Sequence, residues 1–224
     1  MNKIGSGIIR RQKDEQKAEL NKGVKSVLWN LLKYKDRGIY GHLRRVREYT
    51  EILTRKMVVL QAADLDERKI RMIAEGSIYH DIGKLTVPDK ILNKNSQLGT
   101  EEFERIKTHT VNGEKIVNNL KGIWKPEMHK IMCNICRSHH ERYDGSGYPD
   151  GLKGESIPLE AQIVSVADVF DALVSKRIYK EAYVCEVAFK MIENGECGSF
   201  SDRILHTLSF VKNEFVQVSQ RKSS

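Results

Sequence analysis

The hydrophobic positions of the chain recur with the period of α-helices over most of its length. From Val24 onward, apolar residues appear every three or four positions, first in VLWNLLKY and then in HLRRVREYTEILTRKMVVLQAA. This spacing places apolar side chains on one face of a helix. Convincing strand-like alternation is missing, and the apolar run AQIVSVADVFDALV is favoured as a helix by its length and by the preceding Pro158. The pattern predicts an all-α fold.

Capping residues and prolines predict where several of these helices begin. Short polar side chains accept hydrogen bonds from the first turn of a helix, and proline is well tolerated in that turn. The predicted starts are Asp66 before ERKIRMIAEGSIYHD, Thr100 before EEFERIKTHTVNGEKIV, Pro126, Pro158, and the pair Ser201 and Asp202 before RILHTLSFVKNEFVQV.

The domain organisation follows from polarity and charge. Residues 1–23 are expected to form a polar, partly helical extension, and residues 24–220 a single domain with its longest loop at 141–156. The net charge is +8, but residues 1–40 hold ten Lys or Arg against four Asp or Glu, so most of that charge lies there. The basic segment lacks interleaved aromatic residues for base stacking. A solvated helix or linker is therefore expected, with no nucleic-acid partner.

The cysteines and the N-terminus indicate a reduced, soluble setting. Cys133 and Cys136 form a C-x-x-C without a second pair, so two buried thiols are expected rather than a zinc site or a disulfide framework. The first residues lack the apolar core of a secretory signal. No apolar run is long enough to span a membrane. The sequence thus predicts a cytoplasmic protein without membrane contact.

Histidines and acids form the candidate chemistry of the chain. Of seven histidines, His80 is followed directly by Asp81, and His139 adjoins His140 at the predicted end of a helix. A lone helical histidine is more often an ordinary core or surface residue, so each alone is weak evidence. Together, imidazole and carboxylate ligands suit manganese, iron or zinc, and a helical bundle can bring such ligands inward from distant positions.

The stretch HHERYDGSGYPDGLKG and two other strings establish a resemblance to a known family. Residues 24–200 resemble the HD-GYP branch of the HD phosphohydrolase superfamily, named for a His-Asp pair and a Gly-Tyr-Pro triplet. Those motifs are His80-Asp81 and Gly147-Tyr148-Pro149, and the matching strings are HDIGKLTVPDKIL, HHERYDGSGYPDGLKGESIPL and AQIVSVADVFDALVSKRIYK. The resemblance implies a single HD-type helical bundle that carries a long glycine-rich GYP loop.

The resemblance implies a two-metal site with iron or manganese, and with zinc, nickel or cobalt as alternatives. Two such ions can lower the pKa of a bridging water and hold phosphoryl oxygens for in-line displacement. The ligands of the first metal would be His42, His80, Asp81 and Asp168, and those of the second Asp81, His109, His139 and His140. His129 and His206 match nothing in the pattern and are expected to be ordinary residues.

Further residues are implied to contact the substrate. Asp81 and Lys84 are the expected catalytic residues. Lys84 would share a helical face with His80 if that helix continues, with its ammonium beside the phosphate; the alternative is a solvated lysine. The implied substrate-binding residues are Lys84, Arg177, Lys180, Tyr148 and Asp171.

One position departs from the family pattern. Members with three metals carry a glutamate four residues before the first motif histidine, where this chain has Gly38. Asp36 is two residues out of register. Because glycine offers no ligand atom, two metals are expected and a third is not.

The function implied by the resemblance is hydrolysis of cyclic di-GMP to linear pGpG, with further hydrolysis to GMP left open. Two alternatives remain: a non-catalytic receptor or interaction module for a cyclic dinucleotide, and an HD phosphohydrolase acting on another cyclic nucleotide such as cyclic GMP-AMP. A diguanylate cyclase (GGDEF) or a response regulator is a candidate partner through the GYP loop. The native metal, the oligomeric state and the regulatory input are not predicted.

Overall fold

A computed structural model describes residues 3–35, 39–94, 96–176 and 181–221. Over these residues the chain is helical and contains no strand, which confirms the predicted all-α fold. Short 3-10 helices occupy Ile82–Thr86 and Gly154–Ser156. The α-helices of the described residues are α1 Lys3–Lys35, α2 Ile39–Val59, α3 Glu67–Ser77, α4 Asp89–Leu92, α5 Thr100–Lys107, α6 His109–Asn119, α7 Pro126–Ser138, α8 Leu159–Val174, α9 Cys185–Glu193, α10 Asp202–Ser209 and α11 Lys212–Gln220.

Two apolar clusters hold these helices together. The larger joins α2, α3 and α7 to α8–α11, and at its centre the Tyr49 ring packs on Phe170 and Phe215 at centroid distances of 5.2 and 4.5 Å. The smaller joins α1, α2, α6 and α7, with Leu32 and Ile82 completely buried. Removing such side chains from water is the main stabilising contribution to the fold. Since α2 and α7 belong to both clusters, they hold the two halves in one unit.

Some predicted helix starts are confirmed and one is wrong. The side chain of Asp66 accepts from the backbone N–H of Lys69 at 2.7 Å, and Pro126 is the first residue of α7. Thr100 is not a cap: Gly99 precedes α5, and its N–H donates to the carboxylate of Glu102 at 2.8 Å. The carboxylate of Glu102, at the third helical position, therefore accepts from the N–H of the cap residue Gly99, and Thr100 is the first residue of the helix.

Other predicted helix limits shift by a few residues. Pro158 is the residue just before α8 rather than in its first turn, and Ser201 occupies the equivalent position before α10 without a side-chain cap bond. The helix predicted through Asp81 ends at Ser77. The helix predicted over EEFERIKTHTVNGEKIV is interrupted at Thr108, and the predicted last helix is divided into α10 and α11.

The first helix is continuous across the predicted boundary at residues 23 and 24. Its apolar contact with the rest of the molecule is made by Leu28 and Leu32, with Val24 and Trp29 partly buried against the same cluster. The division into an extension and a domain stays a prediction. None of the described helices is long and apolar enough to cross a bilayer. The four cysteines are free thiols, and only Cys136 is fully buried.

Candidate metal centre

The seven predicted metal ligands come together in two adjacent groups. Within each group one potential ligand atom per residue lies within 4.8 Å of the others. The first group consists of His42, His80 and Asp168, and the second of Asp81, His109, His139 and His140. The sequence thus located the side chains that converge, although they come from distant segments.

These side chains are placed by helix ends more often than by helix interiors. His42 lies in the first turn of α2, and Asp168 in the middle of α8. His109 is the first residue of α6, rather than a residue inside a longer helix as predicted. The remaining ligands stand beyond helix ends: His80 and Asp81 after α3, and His139 and His140 after α7.

Asp81 connects the two groups. Its Oδ2 lies 3.3 Å from Nε2 of His80 in the first group. Its Oδ1 lies 3.3 Å from Nε2 of His109 and 3.9 Å from Nε2 of His139 in the second. Oδ1 is buried and has no hydrogen-bond partner among the described residues. A buried carboxylate oxygen without a donor is costly unless a cation occupies the space before it.

Backbone carbonyls determine the tautomers of three histidines. Nδ1–H of His80 donates to the carbonyl of Ser77 at 2.7 Å. His109 and His139 donate in the same way, to Ile106 at 2.8 Å and Ile135 at 2.9 Å. A carbonyl only accepts, so the proton of each neutral ring belongs on Nδ1 and Nε2 presents a lone pair. The carbonyls belong to the last turns of α3, α5 and α7, where helices leave acceptors unpaired.

The distances between Nε2 atoms test whether metals fit. Nε2 of His42 is 3.4 Å from Nε2 of His80, and Nε2 of His109 is 3.3 Å from Nε2 of His139. Lone pairs that face each other this closely repel unless a positive charge lies between them. Neutral imidazoles and carboxylates without a thiolate are ligands typical of manganese, iron and zinc. The residues present therefore fit divalent ions in both groups.

Burial and charge keep Asp81, His139 and His140 in the forms that bind metals. Burial lowers the pKa of His139 well below its usual range and that of His140 to about 3, so both rings are neutral at physiological pH. Burial alone would raise the pKa of Asp81, but the ammonium of Lys84 beside it holds that pKa well below its usual range. Asp81 is therefore ionised.

Lys84 reaches the centre by a different route from the predicted one. It lies in the 3-10 helix Ile82–Thr86, not on a continuation of α3, and so it does not share a helical face with His80. Its ammonium donates to Oδ2 of Asp81 at 2.5 Å. The side chain stays partly exposed. A cation thus stands at the edge of the centre, next to the carboxylate that connects both groups.

A close backbone approach sets the position of Asp81. A Cβ atom added to Gly83 would lie 1.8 Å from the carbonyl oxygen of His109 and 2.5 Å from the nitrogen of Gly113. Only glycine lets the 3-10 helix lie directly on the first turn of α6. This contact brings Asp81 and His109 side by side.

The GYP loop covers the centre with an aromatic ring. The Tyr148 ring stacks on His140, with centroids 4.7 Å apart and an interplanar angle of 27°. The backbone N–H of Tyr148 donates to the carbonyl of His140 at 3.2 Å. A Cβ on Gly147 would meet backbone atoms of residues 140–142 within 2.5 Å, so glycine is required there too. Tyr148 therefore forms one wall beside the second group.

Glu141 is a positioning residue that the sequence analysis did not single out. Its carboxylate is almost completely buried, and its two oxygens accept from the N–H groups of Asp150 and Leu152 at 2.8 and 3.0 Å. Arg137 also donates to both oxygens of Asp150, at 2.7 and 2.8 Å. An acid directly after two histidines was the available signal. Glu141 and Arg137 together tie the loop to the end of α7.

Asp171 does not occupy the place predicted for a substrate contact. It is completely buried, and Arg45 donates to its Oδ1 at 2.6 Å and to its Oδ2 at 2.9 Å. Nδ1–H of His42 also donates to Oδ2, at 2.9 Å. Both oxygens are thus occupied by the protein, because Asp171 lies behind a metal ligand rather than in front of it. No sequence spacing pointed to Arg45.

Four residues of the sequence-based predictions lie outside the described residues. Arg177 and Lys180 were expected to contact the substrate. Gly38 and Asp36 were the residues on which the expected absence of a third metal depended. These expectations stay predictions.

A family model and several known proteins are similar to this chain. A family model described as "HD domain" matches residues 26–200. The chain is 39% identical over 163 residues to the cyclic di-GMP phosphodiesterase response regulator RpfG of Xanthomonas campestris pv. campestris, which covers 73% of this chain and 40% of that protein. It is 31% identical over 203 residues to 3'3'-cGAMP-specific phosphodiesterase 2 of Vibrio cholerae, which covers 89% of this chain and 37% of that protein.

A solved structure shares the fold. Bd1817, an HDG"Y"P protein from Bdellovibrio bacteriovorus, superposes with a TM-score of 0.59 at 22% identity, over 77% of this chain and 51% of that chain. Since the HD domain family model matches more than half of the residues of this chain, the chain belongs to the HD domain family. The resemblance to the HD-GYP branch is confirmed. The chain spans only about two fifths of the length of the curated relatives named above.

Proposed function

We propose that this chain is a metal-dependent phosphodiesterase that hydrolyses cyclic di-GMP to linear pGpG. The observation that carries the proposal is the position of Asp81, an ionised carboxylate facing two groups of inward-pointing histidine nitrogens. The name of the relative from Xanthomonas, at 39% identity, supports cyclic di-GMP as the substrate. Chromatography of the products distinguishes a single cleavage to pGpG from a second cleavage to GMP.

The cofactor of the proposed reaction is a pair of divalent ions, iron or manganese, with zinc, nickel or cobalt as alternatives. When bound, two such ions supply an activated water and neutralise the phosphoryl oxygens during in-line displacement. We keep the expectation of two ions rather than three, because Gly38 offers no ligand.

The protein residues contribute orientation and charge. The carbonyls of Ser77, Ile106 and Ile135 hold three imidazole rings with Nε2 inward, so the ligands need no reorganisation when metal arrives. Lys84, beside Asp81 and partly exposed, is in a position to offset negative charge on a phosphate. Tyr148, stacked on His140, offers an aromatic wall for the substrate. Arg177 and Lys180 remain proposed phosphate or guanine contacts.

A second substrate is favoured by one comparison. The relative from Vibrio cholerae is named as specific for 3'3'-cGAMP and matches 89% of this chain. Both cyclic dinucleotides present two phosphodiesters, and they differ in one base. The metal centre does not distinguish them, so the choice depends on contacts to the base.

Partner proteins and location also stay proposals. A diguanylate cyclase or a response regulator is proposed to contact the GYP loop, residues 141–156, and the cytoplasm is the proposed compartment. Neither proposal is needed for the metal-dependent activity.

The test is metal analysis of anaerobically purified protein, with hydrolysis of cyclic di-GMP and 3'3'-cGAMP followed by chromatography. Two ions per chain and conversion of cyclic di-GMP to pGpG are expected, with metal and activity both lost in Asp81→Ala. Preference for 3'3'-cGAMP would support the second substrate. Tight dinucleotide binding without turnover by the metal-loaded protein would instead support a receptor.

A further inference from the structure

One ligand histidine is oriented by a side chain rather than by the backbone. Nδ1 of His80, His109 and His139 faces a carbonyl, whereas Nδ1 of His42 faces the carboxylate of Asp171. The other ring nitrogen of His42, Nε2, lies 3.4 Å from Oδ1 of Asp168. The ring is therefore held between two carboxylates of α8, one on the metal side and one behind it.

The second of these carboxylates is fixed by an arginine from the same helix as His42. Arg45 lies three residues after His42 on α2, so the two side chains leave the helix on one face. Its Nε and Nη2 donate to the two oxygens of Asp171, and Nη2 also donates to Ser175 at 2.8 Å. This two-point contact leaves Asp171 one orientation in which its Oδ2 can also accept from His42.

A buried carboxylate behind a histidine changes how that histidine binds metal. It fixes the proton on Nδ1, aims Nε2 at the metal and makes Nε2 a stronger donor than a neutral carbonyl would. Arg45 balances the charge of Asp171, which would otherwise be costly to bury at this depth. The first group thus has a support that was not found for the described histidines of the second group.

We propose that Asp171 and Arg45 are positioning residues that set the metal affinity of the group His42, His80 and Asp168. This inference rests on the proposed metal centre. It assigns Asp171 to the support of His42 instead of to the substrate. It also predicts that the two metal positions respond differently to changes in this pair.

The test measures Mn²⁺ binding at each of the two proposed metal positions in the Asp171→Asn variant. Arg45 donates to both oxygens of Asp171, so the amide NH₂ that replaces either oxygen faces a donor whichever way it turns. Mn²⁺ is titrated into metal-free protein by calorimetry, and anomalous scattering from crystals at limiting Mn²⁺ reports the occupancy of each position. Circular dichroism confirms that the variant is folded.

Asp150→Asn is the matched control. Asp150 is also held at both oxygens by one arginine, Arg137, but it touches no ligand histidine. Arg45→Met is the second variant, in case Asp171→Asn fails to fold. It leaves the hydrogen bond that His42 donates to Asp171 possible, and removes the two-point contact and the positive charge that support the carboxylate.

The expected result is a 10–100-fold loss of Mn²⁺ affinity at the first group in Asp171→Asn, the range for outer-shell partners of metal ligands. A smaller loss is expected in Arg45→Met, with the second group unchanged in both. Excess Mn²⁺ should return kcat of Asp171→Asn towards the wild-type value, which a merely misfolded protein would not do.

Three outcomes would overturn the inference. They are wild-type Mn²⁺ affinity at the first group in both folded variants, equal losses at both groups, and an equal loss in Asp150→Asn. A wild-type protein that binds no Mn²⁺ would instead overturn the proposed metal centre, so the two failures are distinguishable.

Discussion

At the scale of single residues, Asp81 carries more of the proposed chemistry than any other side chain described. Among the described residues, it is the only proposed ligand whose oxygens face histidines of both groups, and its buried Oδ1 has no donor there. Its neighbour Lys84 keeps it ionised and remains partly exposed. One carboxylate therefore joins two half-sites that would otherwise bind metal independently.

Asp81→Asn tests this role. The variant should lose at least about 100-fold in metal affinity at the second group and in hydrolysis, because a direct ligand contributes more than the 10–100-fold of an outer-shell partner. Metal content and turnover are measured on the same sample. Asp89→Asn, which breaks an exposed ion pair with Lys35, serves as the control and should retain both. A folded Asp81→Asn protein with normal turnover would refute the two-metal mechanism.

At the scale of elements, the centre is built from the ends of helices. The sequence predicted the helices well, because their apolar period is local information. It did not predict that α3 ends at Ser77 or that the helix is interrupted at Thr108 between α5 and α6. Both features depend on the close packing of the 3-10 helix against α6. For the same reason the histidines could be chosen by motif, whereas the position of Asp171 could not. Its partner Arg45 lies 126 residues away in the chain.

Gly83→Ala tests the packing of the 3-10 helix. The new methyl group would overlap the His109 carbonyl, so Asp81 and His109 must separate. We expect a loss of about 1–3 kcal/mol or more in unfolding free energy, the range for overpacked sites, together with loss of hydrolysis. Urea denaturation measures the first and the phosphodiesterase assay the second.

Gly122→Ala is the control for the same substitution. A Cβ at Gly122 meets nothing within 4 Å. The unfolding free energy of the Gly122→Ala variant should therefore stay within about 0.5 kcal/mol of wild type. Equal stability of the two variants would show that the close approach at Gly83 does not matter.

Glu141→Gln tests the support of the GYP loop. Glutamine keeps only one of the two oxygens that accept from Asp150 and Leu152, and its NH₂ group would face an N–H. The cost of an unpaired buried group, about 1–3 kcal/mol, should make amide exchange at these two residues at least about fivefold faster. KM should rise as Tyr148 loses its fixed position.

Glu160→Gln provides the comparison, since Glu160 accepts a bond from Asn134 of α7 at 2.7 Å and not from a loop amide. In the Glu160→Gln variant, the backbone amides of Asp150 and Leu152 should exchange at the wild-type rate. Unchanged exchange in Glu141→Gln would mean that the Glu141 carboxylate does not hold the loop.

At the scale of the whole molecule, the metal centre draws on both apolar clusters. Asp168 lies on α8, which packs in the larger cluster, and Asp81 immediately precedes Ile82 of the smaller one. Metal bound between these ligands would connect the two halves of the fold in addition to the shared helices α2 and α7. Occupancy should therefore influence the stability of the entire chain.

Thermal denaturation with and without Mn²⁺ measures this coupling. At a concentration 100 times Kd, a ligand that binds only the folded state adds about 2.7 kcal/mol per site. For a chain of this size that corresponds to a rise in melting temperature of about 5 °C or more. Asp81→Asn should show a smaller rise. The same melting temperature for metal-free and Mn²⁺-loaded wild type would contradict the coupling.

The wide spacing of the ligands along the chain has a consequence for biosynthesis. His42 is translated early, whereas Asp168, its neighbour across the first group, follows only after six of the seven ligands have been made. A ribosome-bound chain that ends before α8 would therefore hold the second group's ligands but not a complete first group. During synthesis the proposed enzyme would stay inactive until α8 has been made and docks, because Asp168 completes the first group only then. Premature termination anywhere before that helix would yield fragments without Asp168, and hence without a complete first group.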